Sequence, residues 1–128
     1  AAPRRGTETI LVAEDDEQVR RLVESVLKEF GYEVIAASDG EEAVEKFRKH
    51  KEAIQLVILD VIMPRKNGRQ AFEEIKMIKP GQKVIFTSGY TAEVVHQRGL
   101  LAEGIPFISK PVSPLALLEK MREILDAA

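Results

Sequence analysis

Short apolar runs alternate with stretches of helical periodicity along most of the chain. Continuous apolar runs between turn residues predict strands that are buried on both faces, whereas apolar residues three and four positions apart predict helices with one buried face. The predicted strands are 9–13, 32–37, 56–59, 83–88 and 105–109. The predicted helices are 19–30, 41–47, 71–78, 92–99 and 114–125. The pattern therefore predicts five successive β-α units.

Two of the predicted helices carry a start signal in the sequence. Ser38 with Glu41 three residues later predicts a capping box at the second helix. Ser113 followed by Pro114 predicts an N-cap and the first helical residue of the last helix.

Strict alternation of strands and helices predicts a parallel sheet with right-handed crossovers and helices on both faces. We expect an α/β fold with a doubly wound five-stranded sheet of flavodoxin-like strand order 2-1-3-4-5. In this order the carboxyl ends of the first and third strands line one crevice. The 128 residues suit one domain, 1–128, with residues 1–7 as a flexible lead-in.

Composition excludes several classes of function. A net charge of −2, from 19 basic and 21 acidic residues, is unsuited to binding nucleic acid through its phosphates. The chain has no cysteine, which excludes disulfides and thiolate metal sites. No apolar run approaches the roughly 20 residues of a membrane span. We expect a cytoplasmic protein that does not insert into membranes.

Acidic residues follow two of the predicted strands. Glu14 and Asp15 follow the first strand, and Asp60 ends the third. Carboxylates that converge in one crevice repel each other unless a cation neutralises them. Oxygen ligands without cysteine or a nearby histidine favour Mg²⁺, with Mn²⁺ as a substitute. Asp16 and Glu17 are instead interpreted as helix N-terminal charges.

A hydroxyl and an ammonium group are predicted at the same edge of the sheet. The fourth strand ends in Thr87 and Ser88, and the fifth is followed by Lys110. Both side-chain types bind phosphoryl oxygens, and a divalent cation would complete the set of groups that such a ligand requires. The edge is therefore a candidate phosphoryl site.

Four motifs occur in order at these strand ends. They are EDD, ILDVIMP with a following NG, TSG, and SKPVSP. Together they resemble the receiver domain of two-component response regulators over nearly the whole chain. The resemblance implies that Asp60 accepts a phosphoryl group from a phosphohistidine on a histidine kinase or a histidine phosphotransfer domain. It also implies that the surface formed by the fourth helix, fifth strand and fifth helix then switches and supports a homodimer.

The same resemblance implies a role for each site residue. Asp15 and Asp60 would bind Mg²⁺ directly, together with the backbone carbonyl of Ile62, and Glu14 would bind it through water.

Ser88 would be the switch hydroxyl, chosen over Thr87 because SGY matches the family pattern. Lys110 would contact the phosphoryl group, and Phe107 would be the aromatic residue that rotates inward. Ile62 and Tyr90 would flank the path of an attacking water and tune the lifetime of the acyl phosphate.

The segment from SGYTAEVVHQRGLL to IPFISKPVSP resembles receivers of hybrid sensor histidine kinases, so we expect such a parent chain. The isolated domain would then do no catalysis beyond Mg²⁺-dependent self-phosphorylation and dephosphorylation. The alternative is a receiver-like module that binds proteins without phosphorylation. A haloacid-dehalogenase-like phosphatase is disfavoured because Ile62 replaces the required second carboxylate. His50 and His96 are interpreted as surface histidines rather than relay residues.

Overall fold

The computed structural model describes residues 4–89, 92–98 and 104–127. Five strands alternate with five helices, as the periodicity predicts. The strands are β1 (Thr9–Ala13), β2 (Glu33–Ala37), β3 (Ile54–Asp60), β4 (Val84–Ser88) and β5 (Phe107–Ser109). The helices are α1 (Glu17–Glu29), α2 (Gly40–His50), α3 (Gly68–Ile78), α4 (Ala92–Gln97) and α5 (Pro114–Leu125).

The strands form one parallel sheet in the order β2-β1-β3-β4-β5, which confirms the predicted fold. β3 begins earlier than the apolar run because Ile54 is buried, while the exposed Gln55 interrupts the run. β5 begins later than predicted, at Phe107. In the described part of the chain no helix has the combined length and apolarity of a membrane span.

Each face of the sheet is covered by a separate apolar core. One core joins the sheet to α2, α3 and α4, with Phe47, Ile75 and Phe86 among its fully buried side chains. The other joins the sheet to α1 and α5, with Leu27 and Leu117 at its centre. Because both faces are apolar, polar residues concentrate at the ends of the strands.

The cap predicted for α5 is confirmed, and the cap predicted for α2 is wrong by one residue. The Ser113 hydroxyl accepts the N–H of Ala116 at 3.3 Å. At α2 the N-cap is Asp39 rather than Ser38, and its carboxylate accepts the N–H of Glu42 at 2.7 Å. Glu42 in turn accepts the N–H of Ser38 at 2.5 Å. Two overlapping cap patterns are present here, and the aspartate provides the cap.

A buried arginine at the amino edge of the sheet links the segment before β1 to the end of α5. Arg122 of α5 is 9% exposed and forms a bidentate ion pair with Glu8, with both distances at 2.9 Å. It also donates to the Tyr32 hydroxyl at 3.1 Å and to Asp126 at 2.5 Å. The N–H of Gly6 donates to the carbonyl of Phe30, the C-cap residue of α1, at 2.9 Å. Part of the predicted lead-in, residues 1–7, is therefore held against the domain, and residues 1–3 lie outside the described residues.

We expect Arg122→Ala to lower the free energy of unfolding by about 2 kcal/mol, because the variant leaves the buried Tyr32 hydroxyl and the half-buried Glu8 carboxylate without their partner. Urea denaturation measures the change. Arg21→Ala is the control: Arg21 pairs with Glu17 on the exposed surface of α1, so its loss should cost less than about 0.5 kcal/mol. Equal losses in the two variants would contradict a linking role for Arg122.

Candidate functional site

Three carboxylates meet where the adjacent strands β1 and β3 end. Glu14 follows β1 and Asp60 ends β3, and each is only 4% exposed, whereas Asp15 is exposed. One oxygen of each carboxylate lies within 4.8 Å of the others. The strand order brings these residues together as the sequence predicts, and the three form a candidate metal site.

Hydrogen bonds hold the acidic loop after β1 in place. The backbone N–H of Asp16 donates to the Glu14 carboxylate at 3.0 Å. Arg20 of α1 donates from Nη1 to the Glu14 carbonyl oxygen at 2.8 Å. The N–H of Glu14 donates to the carbonyl of Ala37 at the end of β2 at 3.0 Å. The sequence does not predict this role of Arg20, because the pattern of a charged helix gives no sign that one arginine differs from a surface residue. Asp16 itself caps α1, in agreement with its prediction as a helix N-terminal charge.

Lys110, which follows β5, brings its ammonium group into the same crevice. Its Nζ lies 3.1 Å from a carboxylate oxygen of Asp60 and 2.5 Å from one of Glu14. Its backbone N–H donates to the carbonyl of Ser88 at 2.7 Å, which anchors Lys110 to the end of β4. The sequence predicts that Lys110 lies at this edge, but it does not predict the ion pair with Glu14.

Burial dominates the electrostatics of the crevice. The pKa of Asp60 is raised to about 7: burial contributes most to the rise, the negative charge of Glu14 adds to it, and Lys110 acts in the opposite direction. Burial also acts against the charged form of Lys110. The hydrogen bond to Glu14 and the charge of Asp60 outweigh this effect, so the pKa of Lys110 is higher than usual. An additional positive charge in the crevice would therefore be stabilised by the carboxylates.

The donor set fits a hard divalent cation. Its side-chain ligands are carboxylate oxygens alone, and one of them belongs to the exposed Asp15, which leaves space for water on that side. Mg²⁺ prefers such oxygen ligands and usually retains several waters.

The predicted switch residues lie at the ends of β4 and β5. Strand register pairs Asp60 with Thr87, and Ser88 with Ser109. Ser88 is buried at the last position of β4, one residue beyond the partner of Asp60. Phe107 is half-buried at the start of β5 and packs against the core that includes α2 and α3.

The remaining predicted positions are less closely connected to the crevice. Ile62 lies two residues after Asp60 and is 51% exposed. Tyr90 lies outside the described residues. His50 is exposed at the end of α2, as predicted. His96 belongs to α4, and its side chain lies outside the described part of the chain.

We expect Asp60→Asn to stabilise the metal-free domain at neutral pH by on the order of 2 kcal/mol. The pKa of Asp60 rises from an ordinary 3.8 to about 7 on folding, so its ionised form costs stability. This cost is absent below the unfolded pKa, grows as the pH rises through the interval between the two values, and is complete above the folded pKa. The gain in the variant should therefore grow from pH 5 to 8 in urea denaturation with a chelator present.

Asp126→Asn provides a control of opposite sign. The hydrogen bond from Arg122 holds the pKa of Asp126 below its ordinary value, so that variant should lose stability at neutral pH. A stability difference between Asp60→Asn and the unsubstituted domain that does not change with pH would contradict the raised pKa.

The chain is similar to known signalling proteins over most of its length. The family model of the response regulator receiver domain matches residues 10–122. The chain is 38% identical over 122 residues to the "Probable transcriptional regulator ycf27" of Pyropia yezoensis, covering 94% of this chain and 49% of that protein. It thus spans about half the length of the ycf27 relatives that it matches.

Two solved structures share the fold and part of the sequence. One is the CheX–CheY–BeF3–Mg²⁺ complex from Borrelia burgdorferi, with a TM-score of 0.80, 26% identity and coverage of 91% of this chain and 88% of that chain. The other is the receiver domain of the hybrid histidine kinase CckA, with a TM-score of 0.78, 32% identity and coverage of 91% and 98%. The match to the family model, together with the fold and the acidic crevice, shows that this chain belongs to the response regulator receiver domain family.

Proposed function

We propose that this domain accepts a phosphoryl group on Asp60 from a phosphohistidine of a histidine kinase or a histidine phosphotransfer domain. The observation that carries the proposal is the convergence of Glu14, Asp15 and Asp60 with the Lys110 ammonium at one edge of the sheet. A carboxylate nucleophile beside a cation and a candidate metal site is the arrangement that phosphoryl transfer requires.

In the proposed reaction an oxygen of Asp60 attacks the phosphorus of the donor phosphohistidine. The new O–P bond forms as the P–N bond breaks, and the imidazole nitrogen leaves with the bonding electrons and is then protonated. Only ionised Asp60 can attack, and the ammonium of Lys110 at 3.1 Å favours that form. Lys110 also offers positive charge to the oxygens of the incoming group.

Mg²⁺ would be held by the carboxylates of Asp15 and Asp60 and the backbone carbonyl of Ile62, with Glu14 contributing through water; Mn²⁺ would substitute. When bound, the cation neutralises negative charge on the transferring group. The oxygen donor set supports this assignment. So does the similarity to a CheY solved with Mg²⁺ and BeF3, a fluoride whose shape resembles that of a phosphoryl group.

After transfer, Ser88 and Lys110 would bind the phosphoryl oxygens and the surface of α4, β5 and α5 would change. Ser88 is buried at the end of β4, and the backbone of Lys110 is hydrogen-bonded to it, so the two can respond together. Phe107 is half-buried and lacks a hydroxyl, so it would switch by packing alone. The same surface would form the homodimer.

We assign the docking of the phosphoryl donor to a groove between α1 and α5. The groove has a volume of about 420 Å³ and is apolar, and Lys110 of the acidic crevice is among its lining residues. Its lining residues are Val19, Leu22, Val23, Val26, Lys110, Pro111, Val112, Pro114 and Leu117. A donor seated there would lie next to the acidic crevice, and the α1 segment 18–25 would provide specificity.

We also propose a hybrid sensor histidine kinase as the parent protein, with this domain on its cytoplasmic side. The similarity to the receiver of the hybrid kinase CckA supports this proposal. A charge balance unsuited to nucleic acid supports a protein partner rather than direct DNA binding.

Intact-mass measurement after incubation with a small acyl-phosphate donor tests the function. We expect a single phosphoryl adduct with Mg²⁺, none with a chelator, and none on Asp60→Asn. Asp16→Asn is the matched control: it removes a neighbouring carboxylate, but asparagine still caps α1, so the adduct should remain. A phosphohistidine donor protein is the second arm. If neither donor modifies the domain, the phosphorylation-independent binding module becomes the better explanation.

We expect Ile62→Asn to shorten the lifetime of the adduct about fivefold, equivalent to a barrier lowered by about 1 kcal/mol. Ile62 is large, apolar and 51% exposed beside Asp60, so it should restrict the approach of water. The decay of the adduct followed by mass gives the rate. Leu115→Asn, an exposed apolar residue on α5, should leave the rate unchanged. An unchanged lifetime in Ile62→Asn would contradict the shielding role of Ile62. The resemblance to the receiver family implies the same role for Tyr90.

A further inference from the structure

The loop between β3 and α3, residues 61–67, contains a strained turn. The N–H of Lys66 donates to the carbonyl of Pro64 at 2.8 Å, and Arg65 between them has a φ of 67°. A three-residue turn with a positive central φ is rare and strained. Such a conformation persists only where the surrounding structure holds it. The contacts that hold this turn are therefore informative.

The base of the loop is fixed to the sheet. The N–H of Val61 donates to the carbonyl of Thr87 at 2.9 Å, and the N–H of Gly68 donates to the carbonyl of Val61 at 2.9 Å. A Cβ on Gly68 would overlap the carbonyl oxygen of Asp60, so α3 begins in direct contact with the end of β3. The two ends of the loop are thus closed immediately beside the proposed phosphoacceptor.

The outer bend of the loop rests on the first residue of α2. A Cβ on Gly40 would overlap the carbonyl oxygen of Lys66. The φ of Gly40 lies outside the left-handed region, so the glycine is required by space and not by its own backbone conformation. The loop and the start of α2 are therefore packed backbone against backbone.

The cap of α2 also faces the strained residue. The Asp39 carboxylate, which accepts the N–H of Glu42, lies 3.6 Å from Nη1 of Arg65. The Asp39 side chain is largely buried, whereas that of Arg65 is exposed. Asp39 thus contacts Arg65, and Gly40 contacts the next residue of the bend, Lys66. In the sequence, Ile62 lies between these contacts and Val61 at the fixed base.

We infer that Asp39 and Gly40 are positioning residues: they hold the β3–α3 loop in the conformation that determines the affinity of the acidic crevice for Mg²⁺. The inference rests on the proposed function in one respect, namely that the backbone carbonyl of Ile62 is a ligand. Neither residue touches the metal. Residues that orient metal ligands from outside commonly change metal affinity roughly 10- to 100-fold when they are substituted.

Calorimetric titration with Mg²⁺ tests the inference. Gly40→Ala should weaken Mg²⁺ binding roughly 10-fold, because its methyl group displaces Lys66 and with it the loop. Backbone amide NMR shifts should change across residues 61–67. Leu118→Ala is the control, since Leu118 of α5 is buried in the core on the other face of the sheet, which contains no residue of the loop. It should lower the melting temperature and leave Mg²⁺ affinity within twofold.

If Gly40→Ala does not fold, Asp39→Asn decides the question. Asparagine can still accept the N–H of Glu42 and cap α2, so this variant should fold, but it removes the charge that faces Arg65. The loop without this contact should again bind Mg²⁺ roughly 10-fold more weakly. If the deciding variant binds Mg²⁺ with an affinity within twofold of that of the unsubstituted domain, the positioning role is overturned. The proposed function is then unaffected. If the unsubstituted domain does not bind Mg²⁺, both the proposed function and this inference fail.

Discussion

The ion pairs that Lys110 makes with Asp60 and Glu14 are the interaction on which the rest of the site depends. Two buried carboxylates in one crevice repel each other, and burial alone disfavours their charged forms. The ammonium group partly offsets both effects, at 3.1 Å from Asp60 and 2.5 Å from Glu14. This requires β1, β3 and β5 to end at the same edge, with β4 between the last two. The strand order therefore determines how the sheet packs and also brings the three charged groups of the site together.

The two edges of the sheet differ in what their buried charges do. At the amino edge, Arg122 is balanced by Glu8 and Asp126, and the cluster joins both ends of the chain to the domain. At the carboxyl edge, the raised pKa of Asp60 shows that its charge is only partly compensated. A strained turn follows Asp60 directly and is held in place by α2. The apolar cores and the arginine cluster stabilise the fold, whereas the partly compensated charge and the strained turn destabilise its carboxyl edge.

Much of the fold could be predicted because its signals are local. Apolar runs and helical periodicity predict all ten elements, with errors of a few residues at their ends. The errors arise where local patterns compete: Gln55 interrupts the apolar run of β3, and Ser38 and Asp39 both offer a cap for α2. The positions of Asp60 and Lys110 at strand ends were predictable for the same reason, since Asp60 directly follows the apolar run of its strand and Lys110 follows the short strand that ends in Ser109.

The sequence by itself thus determined the strand-helix alternation, the parallel sheet and the set of polar residues at its carboxyl edge. Only the tertiary structure decided which of these groups pair. It joins Lys110 to Glu14, brings Arg20 to the carbonyl of Glu14, and seats Gly40 against the carbonyl of Lys66. The physical reason is range: propensity and periodicity act over a few residues, whereas these contacts depend on distances and free space between elements that only the packed sheet and helices define.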